Sequence, residues 1–526
     1  MQITWENCGM LTEFRNEPFT DFSVSANQEA MKAALAKVKK QLGQTYPLVI
    51  GGERILTDDH IVSTNPGSPK QEIGRFSKAN TQHAERAMKV ALESYENWKK
   101  VSPVERSRYL FKAAALMRSR KHEFSAWLVL EIGKNWAEAD GDVAEAIDFM
   151  EFYGREMVRL SQPQPLTAHS GEENELHYIP LGVGIVIPPW NFPLAIMVGM
   201  TTAAIVTGNT VILKPSSETP TIAFQFMALM EEIGLPAGVL NFLPGPGASV
   251  GDFLITHAKT RFIAFTGSKE VGLRITELAA KAQPGQLWIK RVVAEMGGKD
   301  SIIVDHDVDL DQAADGVVSS AFGFQGQKCS ACSRVIVHKA VYDEFLQKIK
   351  ERTEKLALGS AEDHKTHMGP VASKSAYESI LEYIEVGKSE GQLLTGGKAN
   401  GKSEDGFFIK PTVIAGVSPT SRIAQEEIFG PVLAVIKAED WHHALDIANN
   451  TEFGLTGGVY SRNRRNIEQA RKEFHVGNLY LNRKCTGAMV GVHPFGGFNM
   501  SGTDSKAGGK DYLLLFTQAK SISEKY

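Results

Sequence analysis

Two cysteines stand three positions apart, Cys329 and Cys332, in the stretch GFQGQKCSACSR from Gly323 to Arg334. That spacing admits a redox dithiol, half of a zinc site, or one nucleophile with a bystander. Four-ligand zinc needs a second close pair of Cys or His. Cys8 and Cys485 stand alone, and His306 and His338 form no ligand pair, so no metal is expected. A thioredoxin-like dithiol opens a helix in a much smaller domain. Two ordinary buried cysteines are the plain alternative.

Three features favour a nucleophile. Glycines flank Cys329, letting backbone N–H groups approach a ligand, and Lys328 beside it is expected to favour the attacking thiolate. Glu295, before a glycine pair in AEMGGK, is a candidate general base, though a lone Glu is more often a solvated charge. Asn191 in PPWNFP offers an amide to an oxyanion, with a turn-forming Asn as its commoner role. The loop FTGSKEVG brings Gly267, Ser268 and Gly272 to a helix start, where a pyrophosphate would be favoured. Lys214 ends the run TVIL and points at the same crevice. None of the glycine clusters has the GxGxxG spacing.

These residues need elements to hold them. Within 526 residues, a guide of about 150 per domain predicts two to four domains. A net charge of -4 excludes a nucleic-acid or anionic-membrane footprint, and four cysteines fit a reducing cytoplasm. The start, MQITWENCGMLTEFRNEP, has neither a secretory pattern nor a transit-peptide character, and Met10 is an alternative start to Met1. No apolar run of about 18 residues occurs, so a membrane partner is not expected.

Helical periodicity dominates the first 160 residues, with helices predicted at Asn27 to Gly43, Asn80 to Val101 and beyond Pro103. From Leu181 the texture changes to short β-branched runs (GVGIVI, NTVIL, GVLNFL, RFIAF) separated by helical segments. This rhythm predicts βαβ units and a parallel sheet, with ligands at the carboxyl ends of its strands. A second α/β series starts near Lys299, with a boundary between Ala294 and Lys299. The segment LLLFTQAKSISEKY is predicted to be a strand that pairs with another subunit.

PWNFP, ILKPSSETP, FTGSKEVG, EMGGK, GQKCSA and EEIFGPV occur in this order. On these motifs the chain resembles the NAD(P)-dependent aldehyde dehydrogenases over nearly its whole length. The resemblance implies an α/β, aldehyde dehydrogenase-like fold: a Rossmann-like nucleotide-binding domain, an α/β catalytic domain and a β-strand oligomerisation arm. The matching boundaries are 1–160 and 181–294 for the N-terminal helices and nucleotide-binding domain, 295–498 for the catalytic domain, and 161–180 with 499–526 for the arm. A homo-oligomer, dimer or higher, is implied with it.

Carried over by the same resemblance, Cys329 attacks the aldehyde, while Asn191 and the Cys329 N–H hold the oxyanion. Hydride loss to the nicotinamide gives a thioester, which water activated by Glu295 hydrolyses. Ile187, Pro188, Lys214, Ser217, Gly267, Ser268, Gly272, Glu427 and Phe429 are implied to bind the cofactor. The family often has Glu where Ser217 stands, a residue that repels a 2′-phosphate; NAD is therefore expected with some NADP use. The stretch KCTGAMVGVHPFGGFNMSGTDSKAGG narrows the likeness to the 1-pyrroline-5-carboxylate dehydrogenases, which oxidise L-glutamate 5-semialdehyde to L-glutamate in proline and arginine breakdown. In that subfamily Ser330 and the Gly487–Ala488 backbone resemble the anchor for the substrate's α-carboxylate, and Phe192 and Phe495 the walls along its chain. From spacing alone the Thr-Gly-Ala turn is either such a nest or a tight loop. Another short carboxylate-bearing semialdehyde, or a non-catalytic binding member of the family, is the alternative.

Overall fold

The computed structural model describes residues 11–526; Cys8 and the two candidate start residues, Met1 and Met10, lie outside the described residues. The three predicted helices are present, Ser25–Lys39 without a side-chain cap and the next two with one. Asn80 accepts the His83 N–H at 3.0 Å and starts Thr81–Trp98, and Ser102 accepts the Glu105 N–H at 3.2 Å and starts Pro103–Ser119.

The helical reading of the first 160 residues is incomplete. Five strands, Gln44–Tyr46, Leu48–Ile50, Glu53–Ile55, His60–Asn65 and Ser68–Ser77, lie between the first two helices. Two are joined by Gly51 and Gly52, both at positive φ (61° and 81°), in a two-residue hairpin turn. Four of them run only three to six residues, and all but Leu48–Ile50 are mostly polar, so periodicity hid them while the Gly-Gly signal was there to read.

The first large sheet runs Arg291–Glu295, Thr260–Thr266, Val183–Ile187, Thr210–Leu213, Leu240–Phe242, Leu48–Ile50, Glu53–Ile55. The first five strands are parallel and the last two add antiparallel. Chain order reverses between Val183–Ile187 and Thr260–Thr266, which opens a ligand crevice at their carboxyl ends.

The second sheet runs Gln392–Thr395, Thr412–Ala415, Val432–Ala438, Arg334–His338, Ser301–Val304, Thr456–Tyr460, Asn478–Leu481, parallel except at its first pair. Here the expectation of carboxyl-end function needs correcting. Cys329 and Glu427 precede their strands, so this sheet offers amino ends to the crevice.

Glu295 closes a strand of the first sheet, paired with Thr266, and so belongs to the first sheet and does not open the second series, as the boundary at 295 had it. The arm is a single antiparallel pair, Glu172–Pro180 with Thr517–Lys525, shorter than 161–180 plus 499–526. Residues 499–516 instead return to the body: Thr503 exchanges backbone contacts with Ala294, and Tyr512, Leu513 and Phe516 are buried in the main core. Among the described residues no helix is long and apolar enough to cross a membrane.

Candidate active site

After Ile187 the chain leaves its strand through Pro188 and Pro189 and delivers Asn191 into the junction, 4% exposed. The Asn191 amide donates one hydrogen to the Gln327 carbonyl at 3.1 Å, two residues ahead of Cys329. Its second amide hydrogen has no protein acceptor among the described residues. Phe324, Gln325 and Gly326 turn the chain there through three consecutive left-handed residues (φ 46°, 56° and 70°). Such geometry in non-glycine residues persists only where surroundings impose it; Gln325 does so by donating to the Pro370 carbonyl at 2.7 Å.

Cys329 then faces the crevice, half-buried, whereas Cys332 is 1% exposed in the core of the second sheet. Cys332 contacts Cys485, which its place in the sequence had made look solitary. The two members of the pair thus lie in different surroundings, one partly exposed and one in the core. No N–H···O bond engages the Cys329 backbone N–H among the described residues, leaving it free alongside Asn191.

Lys328 does not serve the thiol. Its ammonium pairs with Glu138 at 2.7 Å, which overturns the expectation that it lowers the Cys329 pKa. Burial pushes the Cys329 thiol well up, and the carboxyls of Asp300, Glu295 and Glu427 push the same way; only the Ser330 N–H opposes them. In cofactor-free protein the rate of Cys329 alkylation by iodoacetamide should thus climb about tenfold per pH unit from pH 7 to 9. Mass spectrometry with the Cys329→Ala protein as blank measures it; a plateau below pH 8 would contradict the neutral resting thiol.

Glu295 is placed opposite. Its Oε1 accepts from the Ser505 hydroxyl at 2.6 Å, while Oε2 is buried without a partner among the described residues. Burial raises its pKa to about 8, more than Ser505 and Lys506 lower it. Gly297 and Gly298 allow the close packing between these parts. A Cβ on Gly297 would strike the Glu427 carboxylate, and one on Gly298 the Cys329 carbonyl. Glu427 Oε1 also accepts the Gly298 N–H at 3.0 Å, and burial raises Glu427 to about 7. Phe429 sits at φ 54° with its ring against Trp190, centroids 5.2 Å apart and nearly perpendicular, so the two domains meet across the crevice.

Along the first sheet, Lys214 follows its strand 7% exposed, and burial lowers its pKa to about 8. Its ammonium meets no protein acceptor among the described residues, and its stem packs near Gly251. Ser217 is exposed on the turn beyond it. Ser268 caps the helix Lys269–Ala280 by accepting the Val271 N–H at 3.4 Å, so the positive end of that helix opens at the crevice. Gly267 donates to the Glu295 carbonyl at 3.1 Å, tying this loop to the base. A buried cation, a helix N-terminus and close glycine backbone fit a dinucleotide.

The remaining expected residues gather on the other side of Cys329. The Ser330 carbonyl accepts from Thr456 Oγ1 and Cys485 Sγ, each at 3.4 Å, which fastens the Cys329 loop to the segment carrying Gly487 and Ala488. Phe192 stands edge-on to Phe324 with the Lys134 ammonium 3.7 Å from its ring centre. Phe495 exchanges backbone hydrogen bonds with Ala507 at 2.8 and 2.7 Å, next to the Gly496 that adjoins Glu295. Sequence reading missed Ser505, Glu138 and Asp300, whose partners lie far away along the chain.

The aldehyde dehydrogenase family model matches residues 56–522. The chain belongs to the aldehyde dehydrogenase family. This dehydrogenase is 61% identical over 517 residues to a 1-pyrroline-5-carboxylate dehydrogenase of Geobacillus thermodenitrificans, covering 98% of this chain and 100% of that protein. It superposes on a 1-pyrroline-5-carboxylate dehydrogenase from Thermus with bound NAD at a TM-score of 0.96 and 51% identity, covering 98% of this chain and all (100%) of that one. It is also similar to proline utilization A from Bdellovibrio bacteriovorus (TM-score 0.96, 47% identity), covering 98% of the dehydrogenase and 53% of that chain.

Proposed function

We propose that this aldehyde dehydrogenase oxidises L-glutamate 5-semialdehyde, in equilibrium with 1-pyrroline-5-carboxylate, to L-glutamate with NAD as oxidant, in proline and arginine breakdown. One observation carries the substrate choice. The Gly487 and Ala488 N–H groups have no protein acceptor among the described residues, and Cys485 fastens their segment to the residue after the nucleophile. Two adjacent N–H donors beside a thiol suit a carboxylate a few bonds from an aldehyde. The names of the similar proteins agree with it.

In the reaction, Cys329 as thiolate adds to the aldehyde carbon, and the oxyanion takes hydrogen bonds from Asn191 and the Cys329 N–H. Lys214, Ser268 and the Gly267–Gly272 turn, with Ile187 and Pro188 lining the crevice, would hold NAD, which would supply a hydride acceptor for the hemithioacetal. Glu427 and Phe429 fix the nicotinamide end, and exposed Ser217 leaves some room for NADP. Glu295, unpartnered at Oε2, then removes a proton from the water that attacks the thioester. Ser330, Gly487 and Ala488 hold the substrate carboxylate while Phe192 and Phe495 flank its methylenes.

The arm supports self-association: in Thr517–Lys525 every residue after the first is exposed, as an isolated strand pair would leave it until a second subunit covers it. We assign the enzyme to the cytoplasm, with a small molecule rather than nucleic acid or membrane as its partner. An NADH assay with glutamate semialdehyde, succinate semialdehyde and acetaldehyde tests the substrate. A kcat/KM at least about tenfold higher for glutamate semialdehyde is expected. A preference for succinate semialdehyde would favour the other carboxylate-bearing reading, and one for acetaldehyde would remove the anchor.

A further inference from the structure

Arg483 touches neither the nucleophile nor the crevice, yet it sits directly behind the Thr486–Gly487–Ala488 turn. Its Nη2 donates to the Thr486 carbonyl at 2.9 Å and to the Gly487 carbonyl at 3.2 Å. Among the described residues there are no cis peptide bonds. In a trans amide the C=O and N–H of one peptide plane point to opposite sides. The Thr486 carbonyl shares its plane with the Gly487 N–H, and the Gly487 carbonyl shares its plane with the Ala488 N–H. Drawing both carbonyls onto one guanidinium therefore turns both N–H groups the other way, side by side. Gly487 supplies the left-handed residue this requires, at φ 78°.

The guanidinium is fixed in its turn. Its Nε donates to the Lys484 carbonyl at 3.2 Å, it lies 4.5 Å from the centre of the Tyr480 ring, and His493 Nε2 is 3.3 Å from Nη1. A planar fork held at this many points cannot be replaced by a flexible ammonium without loss of aim.

We propose that Arg483 is a positioning residue that sets selectivity for aldehydes bearing an α-carboxylate, by aiming the Gly487 and Ala488 N–H groups and placing a positive charge behind them. The inference rests on the carboxylate anchor assigned above. It predicts an effect on binding of one substrate class, not on the chemical step.

The test is steady-state NADH formation by wild type, Arg483→Gln and Arg483→Lys with glutamate semialdehyde and with propanal, which lacks the carboxylate. In Arg483→Gln the KM for the semialdehyde should rise about thirtyfold with kcat within about twofold, and both constants for propanal should stay within about twofold. Arg483→Lys should fall between. An unchanged semialdehyde KM in Arg483→Gln, or an equal rise for both aldehydes, overturns the assignment. Should Arg483→Gln lose NAD binding, Arg483→Lys decides: a raised semialdehyde KM against an unchanged propanal KM supports the role, and equal changes overturn it. Wild type without any preference over propanal removes the substrate assignment itself, whereas a preference kept in Arg483→Gln removes Arg483 alone.

Discussion

Replacing Cys329 by alanine is expected to lower NAD-dependent aldehyde oxidation by more than about 10^4-fold while leaving NAD affinity unchanged. The two halves of that result have separate structural causes. Without the sulfur no hemithioacetal forms, and neither Cys332 nor Cys485 can substitute, because both are buried in the core of the second sheet. The loop itself does not depend on the sulfur. It is held by backbone bonds from Ala331 to Lys328 and from Cys332 to Ser320, and by the clasp on the Ser330 carbonyl. Lys214, Ser268 and the Gly267–Gly272 turn stand at strand ends of the first sheet, which Cys329 does not enter. Initial rates and a fluorescence titration with NAD measure the two halves, and residual turnover within about tenfold of wild type would place the nucleophile elsewhere.

The second large effect belongs to Glu295→Gln. The mutant should still be acylated, releasing a burst of about one NADH per active site, and then turn over about 10²- to 10⁴-fold more slowly as the thioester persists. Its pH behaviour follows from the direction of the shift. Burial raises the Glu295 carboxyl to about 8, so near neutrality much of it is protonated and cannot accept a proton. Wild-type thioester hydrolysis should therefore increase as pH rises through about 8, and Glu295→Gln should lose that limb. Stopped-flow absorbance resolves burst from steady state. A mutant without a burst, or with an unaltered steady state, would contradict the assignment of the base.

The contrast between local and distant information explains what could be read in advance. Asn191, Lys214 and Ser268 were legible because each follows a short apolar run, and a strand end in a parallel sheet is a position that sequence defines; Glu295 was read only from the glycine pair after it, and the strand it closes went unread. The partnership of Lys328 was not legible. Next to Cys329 it looked like an activator, but the ammonium reaches Glu138, on a helix laid down much earlier in the chain. Cys332 and Cys485 likewise meet only after the second sheet closes. The strands between residues 44 and 77 escaped for another reason: they are mostly polar and variably exposed, so packing against their neighbours defines them more than period does. Arg483 had no signal at all, since its value lies in which carbonyls it gathers.

The hold of Ser505 on Glu295 spans 210 positions of the chain. The strand that ends at Glu295 is likewise buttressed by Thr503, whose N–H reaches the Ala294 carbonyl at 2.9 Å. A ribosome that has finished Asn191, Glu295 and Cys329 has still not made the residues that hold Glu295. A chain ending before Ser505 would thus carry all three side chains and lack both contacts that hold Glu295 and its strand in place.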